Sequence, residues 1–207
     1  MAPDTRRALS LFWKDLGMQL LSLVVVPIAC CQVRIGADGK NRLPEWASDW
    51  DELDYGCDGD GDATSGWQGP RNANGHQTEY LWRVRFLLRN RTNTYAKKTL
   101  GFRTDEIVSI RHDGDPLTCN KRGVSGPGHS GAVRIDVTLK DGRTFFQEYE
   151  VQQSKRFPTL CTRRNVGWKL TDVLDWYRAE GKLTGNPNQR EYVQFVFIPY
   201  SISSFTQ

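Results

Sequence analysis

Hydrophobic and polar positions divide this chain into three regimes. From Leu16 to Val33 the run LGMQLLSLVVVPIACCQV covers eighteen residues without a charge. From Tyr80 to Arg91 the segment YLWRVRFLLRNR mixes apolar groups with arginines, with Leu81, Val84 and Leu88 at helical spacing and Trp82 and Phe86 four apart beside them. After Gly101 the period drops to two. At about 1.5 Å per residue the first run makes a helix of about 27 Å, just short of the roughly 30 Å hydrocarbon layer of a bilayer. It predicts a membrane-spanning anchor built from Leu16, Leu20, Leu21, Leu23, Val24, Val25, Val26 and Ile28. Two other fates stay open at this level. A removable signal peptide is suggested by Arg6 and Arg7 ahead of the run and by Ile28-Ala29-Cys30, which resembles a lipoprotein cleavage site. A buried helix of a soluble domain is suggested by Gln19, Ser22 and Pro27 within it.

Past Gly101, Ile107 to Arg111 reads as a short strand, and Val133, Ile135, Val137 and Leu139 alternate with Arg134, Asp136 and Thr138. Lys140-Asp141-Gly142 then turns the chain into Thr144 to Val151, predicting an antiparallel hairpin closed on Asp-Gly. Gly167 to Leu170 and Tyr192 to Ile198 predict two further strands, and Thr171 caps a short helix that ends at Gly181. The predicted fold class is α+β: an N-terminal hydrophobic helix, then a small antiparallel sheet with helices on one face. The expected domains are an anchor over 1–35, an acidic glycine-rich linker over 36–78 and a soluble domain over 79–207.

Charge sharpens this division. The formal net charge is +4 and the pI near 8.8. Between Gly36 and Asp62, however, acidic residues crowd against only Lys40 and Arg42, whereas between Trp67 and Arg103 basic residues face only Glu79. The two blocks partly neutralise one another if they meet. The basic block centres on the Tyr80 helix, where Trp82, Arg83, Arg85, Phe86, Arg89 and Arg91 form a candidate interfacial or partner-binding surface, with arginines reaching lipid phosphates and Trp82 entering the interface. An ordinary core helix with an arginine-rich edge fits the same residues. Orientation is not set by flanking cations, since Arg6, Arg7 and Lys14 are balanced by Arg34, Lys40 and Arg42. The five cysteines, Cys30, Cys31, Cys57, Cys119 and Cys161, are irregularly spaced and read as free thiols of a reducing compartment.

Candidates for chemistry are few. Asp58, Asp60 and Asp62 alternate as in a calcium loop, but Ala63 and Gly69 stand where that loop needs its glycine and its bidentate glutamate. They remain weak metal candidates. Gly128-His129-Ser130-Gly131 is similar to a serine-protease nucleophile loop, yet His112 and Asp113 are adjacent and point apart, so no triad is expected. His76, His112 and His129 share no ligand spacing, and no phosphate-cradling glycine loop is present. No cofactor, small-molecule substrate or nucleic-acid partner is expected, and an enzyme is the less favoured class.

Five segments recur together in a recognisable order: Arg42-Leu43-Pro44-Glu45-Trp46, then Tyr80 to Asn90 with Leu100-Gly101 downstream, then Asn165-Val166-Gly167-Trp168-Lys169-Leu170, and finally Phe195-Val196-Phe197-Ile198-Pro199, with the acidic glycine-rich stretch behind the first. In this the chain resembles a family of uncharacterised proteins of tailed bacteriophages that pair an N-terminal hydrophobic segment with a small domain. The resemblance implies no catalytic residues. It implies a phage-encoded, membrane-anchored accessory protein, non-enzymatic, that binds a host or phage partner at the host inner membrane. The alternative is a virion component whose apolar N-terminus packs in the particle or enters the host envelope during genome delivery.

Overall fold

The uncharged run lies within one long helix, α1 (Pro3–Cys30), in a computed structural model that describes residues 3–59, 70–114, 131–157, 160–171, 173–174 and 191–204. The chain divides into two units: Trp13–Thr99, and Met1–Phe12 with Leu100–Gln207. The class is α+β, with an apolar N-terminal helix followed by antiparallel sheet.

In the first unit, α1 tightens at its end, where Cys31 N bonds to Ile28 O and Gln32 N to Ala29 O. The chain then forms a two-stranded hairpin of β1 (Arg34–Ile35) and β2 (Asn41–Arg42), a 3₁₀ helix over Glu45–Trp50 and a second helix, α2 (Tyr80–Arg89). Their shared core holds Val26, Ala29 and Cys30 of α1, Leu43, Ala47, Cys57, and Phe86 and Leu87 of α2. The acidic stretch expected to be a linker is folded over 36–59 and 70–78, where the buried Asp58 carboxylate accepts hydrogen bonds from the backbone of Asn41 and Gln77. Gly56 is required here: its φ is +58, and a Cβ would stand 2.1 Å from the Asn41 carbonyl.

In the second unit, the predicted hairpin becomes the centre of a five-stranded antiparallel meander. After β3 (Phe102–Arg103), its strands are β4 (Ile107–Gly114), β5 (Gly131–Leu139), β6 (Thr144–Gln153), β7 (Leu160–Trp168) and β9 (Phe195–Ser204), in the order β4-β5-β6-β7-β9. The short β8 (Tyr192–Val193) pairs with β3. Val133, Ile135, Val137 and Leu139 are buried as their period-two spacing requires, and Phe145, Tyr149 and Val151 are buried beside them on β6. β7 begins well before the predicted Gly167, and β9 runs past Ile198 to Ser204. Trp168 is fully buried, lies edge-on to Phe145 at 4.7 Å between ring centroids, and donates its indole N–H to the Leu100 carbonyl at 2.8 Å. At the start of α1, Arg7 stacks over Phe145 at 4.7 Å and Phe12 meets Phe197 at 4.7 Å. The helix predicted from Thr171 to Gly181 and the loop at His129-Ser130 lie largely outside the described residues.

Candidate functional site

Between Trp13 and Cys30, α1 has two faces, a packed one of mostly small side chains and an outward one with large apolar side chains. The packed face carries Ser22, Val26, Ala29 and Cys30, mostly small side chains, all buried. The opposite face carries Trp13, Gly17, Leu20, Leu21, Val24 and Ile28 in successive turns, with Leu23 at its margin. Leu20 is 59% exposed, Val24 63% and Ile28 51%. Leu16 and Val25 are half-buried, Val25 against the core. Of the anchor residues predicted from sequence, Val26 alone is fully inside the protein, because it falls on the packed stripe. Among the described residues, one helix, over Arg6–Cys30, is long and apolar enough to cross a membrane.

Polar groups fasten the packed side. The Trp50 indole N–H donates to the Met18 carbonyl at 2.9 Å, and the Tyr80 hydroxyl donates to the Pro27 carbonyl at 3.1 Å, satisfying one of the carbonyls that a helix end leaves without an intrahelical donor. Asp15 accepts from Gln19 at 2.7 Å and from the Thr92 hydroxyl at 2.8 Å. Thr92 adopts φ +55, a left-handed conformation costly for a β-branched residue, and the Asp15 bond helps hold it there.

Around the last turns of α1, further apolar groups are exposed. Ile35 is exposed on β1, Trp46 on the 3₁₀ helix and Leu81 on α2, and Trp46 Nε1 bonds to Gln32 at 3.3 Å. On α2, Leu81, Arg85 and Arg89 form one exposed stripe at four-residue spacing, with Arg85 over the Trp82 ring at 5.4 Å. The other members of the predicted interfacial set separate. Trp82 is half-buried, and Phe86 is a core residue, so the expectation of a surface role for Phe86 is corrected: it lies on the stripe turned toward Val26 and Leu43. Arg83 is committed to the fold, donating from Nε and Nη2 to the Gln77 carbonyl at 3.1 and 2.5 Å. Arg91 is exposed and donates from Nε to the Leu88 carbonyl at 2.7 Å.

The acidic segment supplies structure where its aspartates suggested a metal. Asp58 accepts from Asn41 N at 3.0 Å, Asn41 Nδ2 at 2.8 Å and Gln77 N at 2.9 Å, and His76 Nδ1 lies 3.0 Å from Oδ2. Burial alone raises its pKa, but these bonds from Asn41, His76 and Gln77 outweigh burial and hold the carboxyl below its ordinary range. Four partners fill a carboxylate's lone-pair directions, which leaves little for a cation. Asp60 and Asp62 lie outside the described residues, and among the described residues no group of three or more His, Cys, Asp and Glu could hold a metal ion. Asn41, His76 and Gln77 were not foreseen as partners of Asp58, since 17 to 19 residues separate each from it and no local spacing signals the contact.

Next to the packed face of α1, charge is buried in pairs. Asp51 meets Arg42 at 3.4 Å and the Cys57 thiol at 3.8 Å, while Lys97, 3% exposed, reaches Asp54 at 2.7 Å and Glu52 at 3.7 Å. Burial lifts the Asp51 carboxyl to about 6 despite Arg42, raises Glu52 as well, and pushes the Cys57 thiol far up. In the other unit, the outer side of the sheet carries a ladder in which Glu148 bridges Arg134 at 3.0 Å and Arg164 at 2.8 Å. These ions partly neutralise one another, and at this exposure their pairing adds little to stability.

Neither a curated protein nor a solved structure matches the chain. Residues 9–201 match a family of unknown function (DUF7338), and the chain belongs to that family.

Proposed function

We propose that this is a membrane-anchored accessory protein that lies on a bilayer surface through the exposed face of α1 and binds a partner protein there. One observation carries the reading: large apolar side chains of α1 face outward, while Ser22, Val26, Ala29 and Cys30 face the protein. Water favours the opposite arrangement, and a lipid-contacting helix favours this one, with small residues at the protein interface and large ones toward acyl chains.

An in-plane anchor fits better than a spanning one. The segments packed on α1 bring Asp51, Glu52 and Lys97 within a layer of it. A bilayer core charges several kcal/mol for such groups, whereas the headgroup boundary takes in one face of a helix to a depth of about 5–10 Å and leaves the other face wet. In the tailed-phage setting that the sequence resemblance implies, the membrane is the host's inner membrane.

The test is flotation of the full chain with lipid vesicles, followed by protease added outside. The proposal expects flotation with no protected fragment over 16–33. A protected fragment there contradicts the in-plane arrangement. A chain that stays soluble as an oligomer contradicts the membrane role and favours a face covered by neighbouring subunits, as in a virion.

A further inference from the structure

We propose that the open edge of β9 is a docking strand for a second copy of this chain, which adds antiparallel across a two-fold axis and joins two five-stranded sheets into one. This goes beyond the membrane reading above and does not rest on it.

The two edges of the sheet differ. β4 carries Arg111, His112 and Asp113, and charge along an edge makes a strand a poor template for another chain. β9 has no such guard: residues 192–207 include no Asp, Glu, Lys or Arg, an uncharged stretch exceeded only by 16–33. Among the described residues, β9 pairs with β7 on one side and with no strand on the other. Its first half is partly covered, since Phe12 of α1 meets Phe197. Pro199 and the register shift between Arg163 and Asn165 then interrupt the edge midway. Past that point residues 200–204 have neither cover nor charge, and Tyr200 is 64% and Ile202 63% exposed.

A second copy is the occupant that this strand fits. Backbone bonding at an edge accepts any extended chain, so the side chains that meet across the seam decide the partner. An uncharged strand brings no like charge against itself at a two-fold axis. Tyr200 and Ile202 are two apart and share a face. In an antiparallel register centred on Ser201, Tyr200 of each copy lies opposite Ile202 of the other, which gives two aromatic–β-branched pairs. The same symmetry keeps cations apart. Exposed Lys155 and Arg156 sit in the turn beside the Ser204 end of β9, so the two turns fall at opposite ends of the seam. Growth stops at two copies, because both outer edges of the joined sheet are then β4.

The test is native mass spectrometry of the full chain released from detergent micelles, where the unchanged chain is expected at twice its own mass. Tyr200→Lys with Ile202→Lys sets like charges across the axis and is expected to weaken association by at least about tenfold with the melting curve unmoved. Leu21→Gln with Val24→Gln, on the outward face of α1, is expected to leave the pair intact. A cross-link gives a second readout that does not depend on the lysine variant folding. In a Cys31→Ser, Cys119→Ser background, Ser201→Cys is expected to form a disulfide between copies when copper-phenanthroline takes up the two electrons, and Val108→Cys on β4 to form none. A single-chain mass for the unchanged chain overturns the inference and leaves the edge to a strand of another protein. A pair that survives the lysines, a pair dissolved by the α1 variant, or the absence of the Ser201→Cys link also overturns it.

Discussion

Trp50 donates its indole N–H to the carbonyl of Met18 at 2.9 Å, a bond across 32 residues that ties the 3₁₀ helix to the packed face of α1. It holds one side of α1 against protein and thereby decides which side is left outward. Trp50→Phe keeps an aromatic ring and loses the donor, so the unit is expected to lose about 1 kcal/mol. Thermal unfolding checks this, and an unmoved transition contradicts it.

Asp51 makes stability depend on pH with a sign opposite to that of most carboxylates. Its folded value of about 6 stands above the ordinary 3.8, so between those values the folded chain holds a proton that the unfolded chain releases. The stabilisation is complete below pH 3.8 and gone above pH 6, a change on the order of 2–3 kcal/mol. Asn at this position accepts the Glu52 N–H that Asp51 now accepts at 3.0 Å. Asp51→Asn is therefore expected to raise the melting temperature relative to the unchanged chain at pH 7.5 and to give no gain near pH 4. The same difference at both pH values contradicts the assignment.

Among the described residues, Trp168 is the largest fully buried side chain of the sheet unit. Trp168→Ala removes its edge contact with Phe145 and its bond to Leu100, and is expected to cost about 3–5 kcal/mol. A melting curve that does not move contradicts its place in the core.

Gly167, one residue earlier, holds φ +115, and a Cβ there would stand 2.1 Å from the Phe146 carbonyl. Gly167→Ala is expected to destabilise by at least about 2 kcal/mol, because both the backbone and the neighbouring strand must yield. Chemical denaturation gives the number directly, and a cost within error of zero contradicts the strand geometry.

What could be read from the sequence follows from how local the cause is. The alternation of Val133 to Leu139 and the Asp141-Gly142 turn are short-range signals, and the hairpin of β5 and β6 was legible for that reason. The first half of β7 was not: Thr162, Arg163, Arg164 and Asn165 carry no apolar alternation, and they become a strand because β6 and β9 pair on both sides. The long apolar helix was plain, but its two faces were not. Ser22, Ala29 and Cys30 look like dilution of a hydrophobic run until Leu43, Ala47 and Cys57 are found against them. On α2 the apolar and basic residues were evident, while the division into a core stripe with Phe86 and a surface stripe with Arg85 and Arg89 depends on which side meets α1.

The central claim, that the outward face of α1 contacts lipid, is tested most directly by vesicle flotation of a full chain carrying Leu21→Gln and Val24→Gln. Both residues are more than half exposed, so the fold is expected to survive with an unchanged melting curve. Removing two large apolar side chains from the boundary layer is expected to weaken vesicle binding by about tenfold or more. A variant that floats as well as the unchanged chain contradicts the account.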